Sequence, residues 1–286
     1  MNGGTDRDFV LPQGRLRGRV LGRQEGPLAL LVPGLTANLI SMERIAGDLA
    51  GAGWRTVALD LRGRGHSEAT PTGTYGWERH ATDLIDVANQ LSDERFAVVG
   101  WSMGAFVAQQ VAVMAPGRIL RLALIDAAGV PAPEAMAPVM AAAERLRDVY
   151  PSADAYVERV RSIGTLTPWE EIWERYLRYE LVEVAGGVRS RTSYDAVIED
   201  LSYGNAQDPT AFWPRLKRPA LLVRATLPFL PSLPRAFVVP AHSVPDFRAR
   251  VRGASVVEVE ANHYGVGVAP RTAAAVTEWF QAEVGG

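Results

Sequence analysis

The sequence Gly-Trp-Ser-Met-Gly at positions 100–104 decides the fold, because it sets Ser102 between two glycines where two contrasting segments meet. A short apolar run at 95–99 (RFAVV) precedes it, and a segment with helical patterning at 103–115 follows it. A sharp turn from a strand into a helix leaves no room for side chains beside the serine, which explains both glycines. The turn exposes the serine hydroxyl, and the helix N-terminus offers backbone N–H groups to a developing negative charge. The pattern therefore predicts that Ser102 is a nucleophile at the end of a buried strand.

Short apolar runs of the same kind recur on both sides of this motif. They lie at Leu28–Val32, Arg55–Leu59, 120–125, 220–224 and 255–260. Helix-like segments lie at 40–51, 77–91 and 271–284. Buried strands that alternate with helices predict an α/β fold, with a mostly parallel central sheet covered by helices on both faces. Residues 8–24 alternate less regularly and predict an antiparallel hairpin at one edge of the sheet.

Residues 131–214 interrupt this rhythm with helical patterning and no strand-like run. We expect them to form a helical cap, inserted into a core domain made of residues 1–130 and 215–286. Residues 226–245 contain five prolines directly after a predicted strand. Proline removes backbone donors and breaks helices, so this segment predicts a long irregular loop at the carboxyl end of the sheet, where open α/β sheets bind ligands.

Composition excludes several function classes. The 286 residues include 30 basic and 32 acidic ones, a balance that provides no electrostatic attraction for nucleic acid or an anionic membrane. The absence of cysteine removes disulfides, thiolate metal sites and a cysteine nucleophile, and four scattered histidines predict neither a metal site nor a cofactor. No apolar run is long enough to span a membrane, and the first ten residues lack a signal-peptide core, so a cytoplasmic protein is expected.

The serine motif in this setting resembles the α/β-hydrolase superfamily, and two further motifs extend the resemblance over most of the chain. Residues 32–35 (VPGL) end an early strand where the family usually carries His-Gly, and residues 60–67 (DLRGRGHS) are similar to the family's D-x-R-G-x-G-x-S loop. The resemblance implies that Ser102 attacks a carbonyl carbon and that the backbone N–H groups of Leu35 and Met103 form the oxyanion hole. The proline at the family's histidine position is tolerated, because the backbone amide performs that task.

His263 is the expected general base. It follows the predicted strand at 255–260, where the family places its catalytic histidine. His66 belongs to the architectural loop at 60–67. We expect His80 to be a solvated residue near the start of a helix, and His242 to be a residue of the proline-rich loop.

The triad acid is the point where the sequence departs from the family. No acidic residue follows the run at 220–224 until Asp246, although the family's usual acid follows that strand. Asp126 offers an alternative, since it directly follows the run at 120–125; haloalkane dehalogenases and zearalenone lactonases resemble this arrangement. A strand end holds a side chain more firmly than a proline-rich loop, which favours Asp126 over Asp246. A third possibility is a weak or missing acid.

The expected activity is hydrolysis of a carboxylic ester or lactone with a small or medium apolar substrate. Residues expected to line the substrate pocket are Trp101, Met103, Trp169, Trp173, Phe229 and Leu230, with Trp169 and Trp173 on one face of a helix. A carbon–carbon bond hydrolase of vinylogous diketones is an alternative. A ligand sensor with vestigial turnover is another, favoured only by the missing acid. The oligomeric state is not readable from the sequence.

Overall fold

The computed structural model describes residues 4–282, and an eight-stranded sheet forms its centre. Its strands are β1 (Thr5–Leu11), β2 (Gly14–Leu21), β3 (Leu28–Val32), β4 (Arg55–Leu59), β5 (Phe96–Trp101), β6 (Ile119–Ile125), β9 (Ala220–Ala225) and β10 (Ser255–Val259). They are ordered β1-β2-β4-β3-β5-β6-β9-β10. The β1–β2 hairpin and the β2–β4 pair are antiparallel, and all other neighbours are parallel. The predicted fold class is confirmed, including the hairpin at one edge.

Helices on both faces of this sheet and a further group between β6 and β9 make up the rest of the described fold. They are α1 (Glu43–Gly51), α2 (Trp77–Gln90), α3 (Met103–Met114), α4 (Met136–Glu144), α5 (Ala153–Ile163), α6 (Glu171–Tyr179), α7 (Tyr194–Asn205), α8 (Val244–Arg250), α9 (His263–Val268) and α10 (Pro270–Gln281). The helix predicted at 271–284 corresponds to α10, and its last predicted positions lie outside the described residues. None of the helices within residues 4–282 combines the length and apolarity needed to cross a membrane.

Strand β3 shows how the sequence produces a sheet buried on both faces. Leu28, Leu30 and Val32 pack into an apolar cluster with α2 and α3. Ala29 and Leu31 point the other way, into a second cluster that includes residues of α1 and α10. Successive side chains of a strand alternate between faces, so a continuous apolar run is what a central strand requires.

The segment between β6 and β9 contains α4 to α7, and it also contains a strand pair that the sequence analysis missed. Strands β7 (Leu181–Val184) and β8 (Gly187–Ser190) form an antiparallel hairpin, so the expectation of no strand at 131–214 is wrong. The strands are four residues long and carry charged side chains, so they produce no apolar run. A methyl group on Gly187 would lie 1.9 Å from the carbonyl oxygen of Tyr150, so only glycine allows this close packing.

The proline-rich loop is shorter than predicted. Its irregular part ends at Pro240, after which Ala241–Ser243 form a 3₁₀ turn and α8 begins at Val244. Pro245 lies in the first turn of α8, where the backbone N–H has no intrahelical partner and proline therefore costs nothing.

Candidate active site

The turn between β5 and α3 presents Ser102 in a strained backbone conformation, with φ 56° and ψ −126°. A methyl group on Gly100 would lie 2.1 Å from the carbonyl oxygen of Gly104, and one on Gly104 would lie 2.1 Å from that of Val32. Glycine is therefore obligatory at both positions. The amide of Ser102 donates to the carbonyl of Ile125 at 2.9 Å, which ties the turn to β6.

Ser102, His263 and Asp126 form a chain of two hydrogen bonds, with His263 in the middle. The Oγ of Ser102 is 2.9 Å from the Nε2 of His263, and the Nδ1 of His263 is 2.8 Å from the Oδ2 of Asp126. The other carboxylate oxygen of Asp126 accepts the amide of Ala225 at 2.9 Å. An ionised Asp126 favours the imidazole tautomer with its proton on Nδ1, which leaves Nε2 free to accept the serine proton.

The start of α9, which carries His263, is held in place by its neighbours. Asn262 caps α9 by accepting the amide of Gly265 at 2.8 Å, and its amide group donates to the carbonyls of Thr165 and Phe229. The indole N–H of Trp101 donates to the carbonyl of His263 at 3.1 Å. The imidazole therefore occupies a defined position beside the serine.

The alternative acid, Asp246, does not meet His263. It is exposed in the first turn of α8, and its side chain makes no hydrogen bond or ion pair with any residue between 4 and 282. His242 is exposed in the neighbouring 3₁₀ turn, and the ring of His66 packs on Tyr179 with centroids 4.6 Å apart. None of the three is part of the Ser102 hydrogen-bond chain.

His80 corrects an expectation. It is fully buried, and its Nε2 lies 2.9 and 3.0 Å from the two carboxylate oxygens of Asp200. The expectation of a solvated helix residue is wrong because His80 shares the apolar face of α2 with Trp77, Ala81 and Leu84. Positions separated by three and four residues lie on one helical face, so this periodicity was a signal available in the sequence.

Two backbone amides beside Ser102 remain available to a ligand. Among the described residues, the N–H groups of Leu35 and Met103 donate to no acceptor, and Met103 begins α3, where such groups have no intrahelical partner. The preceding turn approaches closely, since a methyl group on Gly34 would lie 3.1 Å from the Cβ of Ser102. This arrangement can accept a developing oxyanion.

A buried network of charged side chains stabilises the turn at Leu35 through a hydrogen bond to its carbonyl. The Nε of Arg64 donates to the carbonyl of Leu35 at 3.0 Å, and its Nη2 forms an ion pair with Asp200 at 2.6 Å. Asp200 also accepts the amide of Gly76 at 2.6 Å. Burial alone would raise the pKa of Asp200, but the charges of His80 and Arg64 and these hydrogen bonds hold it below the ordinary value. Sequence reasoning did not find this network, because α7 brings Asp200 from a distant segment.

The motif at 60–67 has the architectural role expected of it. Buried Asp60 accepts hydrogen bonds from the amides of Leu39 and His66 and from the hydroxyl of Tyr179. Burial raises the pKa of Asp60 to about 6, and these hydrogen bonds oppose that rise. Asp60 lines none of the cavities described below.

Three adjoining cavities lie near Ser102, which lines two of them. The catalytic cavity, about 40 Å³, is lined by Ser102 and His263. Cavity A, about 290 Å³, shares Thr36, Ala142, Tyr176 and Tyr264 with it. Cavity B, about 250 Å³, shares Leu35, Ser102 and Val139 with it. Helix α4 contributes lining residues to all three, so the three cavities lie next to one another along this helix.

The expected pocket residues divide into two groups. Trp101 and Phe229 line the catalytic cavity, Met103 lines cavity B and Leu230 lines cavity A. Trp169 and Trp173 line none of them, so that expectation is wrong.

These two tryptophans do not share a helix face either. Trp169 precedes α6, and its ring lies 5.0 Å from the guanidinium of Arg161. Trp173 is fully buried against Tyr176. Tyr176 and Tyr264, which the sequence analysis did not select as pocket residues, line the cavities instead, and burial raises the pKa of both phenols. Within residues 4–282, no three His, Asp or Glu side chains converge as metal ligands.

Comparisons with known proteins identify relatives that match part of this chain. Over 103 residues the chain is 38% identical to the N-formylmaleamate deformylase of Pseudomonas putida, which is 36% of this chain and 38% of that protein. Over 120 residues it is 32% identical to a serine hydrolase-like protein of Danio rerio, which is 42% of this chain and 36% of that protein. The matches thus cover less than half the length of these relatives.

A solved structure of E-2-(acetamidomethylene)succinate hydrolase aligns with a TM-score of 0.83 and 22% identity, over 98% of this chain and 100% of that one. At that identity the similarity concerns the fold alone. Residues 27–226, well over half of the chain, match the family described as the alpha/beta hydrolase fold. The chain therefore belongs to the α/β-hydrolase fold family.

Proposed function

We propose that this protein hydrolyses a carboxylic ester or lactone through an acyl-enzyme. The observation that carries the proposal is the hydrogen-bond chain from Ser102 through His263 to Asp126, next to two backbone amides that donate to no acceptor within residues 4–282. Nucleophile, base and orienting acid are thus in reach of one another, and the oxyanion donors stand beside the nucleophile.

In the first half of the reaction, the Oγ of Ser102 attacks the carbonyl carbon while its proton passes to the Nε2 of His263. The carbonyl oxygen becomes an oxyanion that accepts hydrogen bonds from the amides of Leu35 and Met103. The bond to the leaving oxygen then breaks, and that oxygen takes the proton from His263 and departs as an alcohol. A lactone would leave its hydroxyl on the same molecule.

In the second half, water attacks the acyl-enzyme and gives one proton to His263. The bond between the acyl carbon and the Oγ of Ser102 breaks, and the proton on His263 returns to Ser102, so that a carboxylic acid leaves and the resting state is restored. Asp126 orients the imidazole and stabilises its charged form in both halves. Each oxyanion donor is expected to contribute about 3–4 kcal/mol of transition-state stabilisation.

The division of the chain also belongs to this proposal. Residues 131–214 would act as a helical cap, and residues 1–130 and 215–286 would form the catalytic core. Cavity linings support this assignment: α4 and α6 contribute Val139, Ala142 and Tyr176, whereas the core contributes Ser102 and His263. The substrate would lie between the two parts.

A second candidate is hydrolysis of a carbon–nitrogen bond in an N-acyl compound. The observation that favours it is the match to the N-formylmaleamate deformylase, whose name describes removal of an N-formyl group. The same residues would serve, with nitrogen as the leaving atom protonated by His263. The sensor alternative loses its support, because an acid does contact His263.

A fluorophosphonate probe tests the proposal directly, since it labels only activated serines. Wild-type protein is expected to be labelled at Ser102, and Ser102→Ala is expected not to react. p-Nitrophenyl hexanoate and the matched anilide then separate ester from carbon–nitrogen hydrolysis. If folded wild-type protein is neither labelled nor active on any ester, lactone or anilide tested, the proposal fails.

A further inference from the structure

We propose that the substrate carries an anionic group, such as a carboxylate, on its leaving-group side, where Arg145 binds it in cavity A, and that its acyl side is apolar. This inference rests on the proposed function and names the substrate class of that site.

The geometry of the catalytic cavity indicates which of the two substrate arms, the leaving group or the acyl chain, enters which cavity. His263 must protonate the leaving atom, so the leaving group lies on the imidazole side of Ser102. The next residue, Tyr264, lines both the catalytic cavity and cavity A. His263 itself lines neither cavity A nor cavity B, whereas Ser102 and the residues of both oxyanion amides line cavity B. The leaving group therefore extends into cavity A and the acyl chain into cavity B.

Arg145 is the charged residue among those that line cavity A, whose other lining side chains are apolar, hydroxyl or phenol groups. Its side chain is only 13% exposed. Within the described part of the chain, its Nη1 donates to the carboxylate of Glu180 at 3.2 Å, and its Nε and Nη2 donate to no acceptor. A guanidinium with unused donors beside an apolar cavity is suited to bind a carboxylate, often through two parallel hydrogen bonds.

Glu180 does not cancel this charge fully. It is completely buried, one of its oxygens has no hydrogen-bond partner in the described part of the chain, and the hydroxyl of Tyr156 contacts the other. Burial raises the pKa of Glu180 to about 7, although Arg145 opposes the rise. Burial therefore favours the neutral form of Glu180, which weakens the negative charge that faces Arg145 in the ion pair formed among residues 4–282.

Cavity B, which would hold the acyl chain, differs from cavity A in the charge of its lining. The charged residue among those lining cavity B is Asp200, which is acidic and already paired with Arg64 and His80. An additional carboxylate there would meet a like charge, whereas an apolar chain would contact Met103 and Phe106. A volume of about 250 Å³ corresponds to about eight groups of water size, so a hexanoyl chain fits.

The test uses hexanoate esters of the hydroxy acids HO–(CH2)n–COO⁻, with n from one to five, each beside its neutral primary amide. The measured quantity is the ratio of kcat/KM for the acid to kcat/KM for the amide at pH 7. Wild-type protein is expected to prefer the acid by about 10- to 100-fold at the best length, the contribution of a charge-assisted hydrogen bond. Monohexyl adipate, which carries its carboxylate on the acyl side, is expected to be a poor substrate.

Arg145→Met should bring the best ratio close to one. Arg145→Met/Glu180→Gln should do the same, and it avoids leaving a buried carboxylate without its partner if the single variant folds poorly. Arg147→Met removes a positive charge from the same segment at an exposed position, and it should keep the wild-type ratio.

Two results separate this inference from the proposed function. If wild-type protein hydrolyses the amides in a Ser102-dependent manner but no acid is preferred, or if the preference survives in Arg145→Met, the inference is overturned and the proposed function stands. If no ester is hydrolysed and the fluorophosphonate probe leaves Ser102 unlabelled, both fall together.

Discussion

Replacing Asp126 with asparagine should stop turnover while leaving the fold intact. The change moves the imidazole proton of His263 from Nδ1 to Nε2, the nitrogen that must accept the proton of Ser102. In the native side chain, one oxygen accepts the amide of Ala225 and the other faces the Nδ1 of His263. Asparagine must keep its oxygen on Ala225, so its NH2 group would face Nδ1. The imidazole would then carry its proton on Nε2 and donate to Ser102 instead of accepting from it.

The magnitude follows from this tautomer change. The corresponding substitution in the Ser-His-Asp template lowers kcat by about 10⁴, or about 5 kcal/mol of activation free energy. Asp126 has φ 45°, a left-handed conformation that asparagine also adopts readily, so the backbone should tolerate the change. We expect a fall of this order in kcat with less than about 1 kcal/mol lost in stability.

The assay is steady-state hydrolysis of p-nitrophenyl hexanoate, with urea unfolding as the measure of stability. Asp246→Asn is the matched control, because it makes the same chemical change at the exposed alternative acid and should leave kcat within about twofold of wild type. A loss of less than tenfold in Asp126→Asn, or an equal loss in Asp246→Asn, would refute the assignment of Asp126.

Three further outcomes concern stability, each measured by urea unfolding. Ser102→Gly should abolish activity yet stabilise the fold by about 1–3 kcal/mol, since glycine relieves the strain of φ 56°, and unchanged stability would contradict it. Asp200→Asn should cost about 3–5 kcal/mol, because it leaves the buried guanidinium of Arg64 without a charged partner; a loss below 1 kcal/mol would exclude this. The stability of Glu180→Gln relative to wild type should increase as the pH rises. The folded-state pKa of Glu180, about 7, exceeds its ordinary 4.5, so wild-type stability from this group is complete below pH 4.5 and declines up to pH 7. At about 1.36 kcal/mol per pH unit, the variant should gain about 3 kcal/mol relative to wild type between pH 4.5 and 8, and a constant difference would contradict the burial argument.

Local patterns were enough to predict most of the sheet and the relation of Ser102 to it. The apolar runs and the two glycines act over short distances, so the strands and the turn at Ser102 could be read directly. Asp126 could be placed at a strand end for the same reason, although only the folded chain shows that it, and not Asp246, contacts His263.

Contacts across the chain could not be predicted in this way. The pairing of His80 with Asp200 joins residues 120 positions apart. Helical periodicity can indicate that His80 is buried, but it cannot identify the partner. Trp169 and Trp173 were assigned to the pocket by residue type, yet which face of a capping segment meets the substrate depends on tertiary packing. Arg145 was missed for the same reason.

Helix α4 has a consequence for how the preferences of this protein would change under selection. Pro138 and Ala141 line cavity A, Met136 lines cavity B, and Val139 and Ala142 border the catalytic cavity between them. One nine-residue helix thus contributes to the space for both arms of the substrate. A mutation that shifts this helix to admit a longer acyl chain also alters the room for the leaving group. Both preferences should therefore evolve as a linked pair, and libraries restricted to α4 are an economical place to look for new substrates.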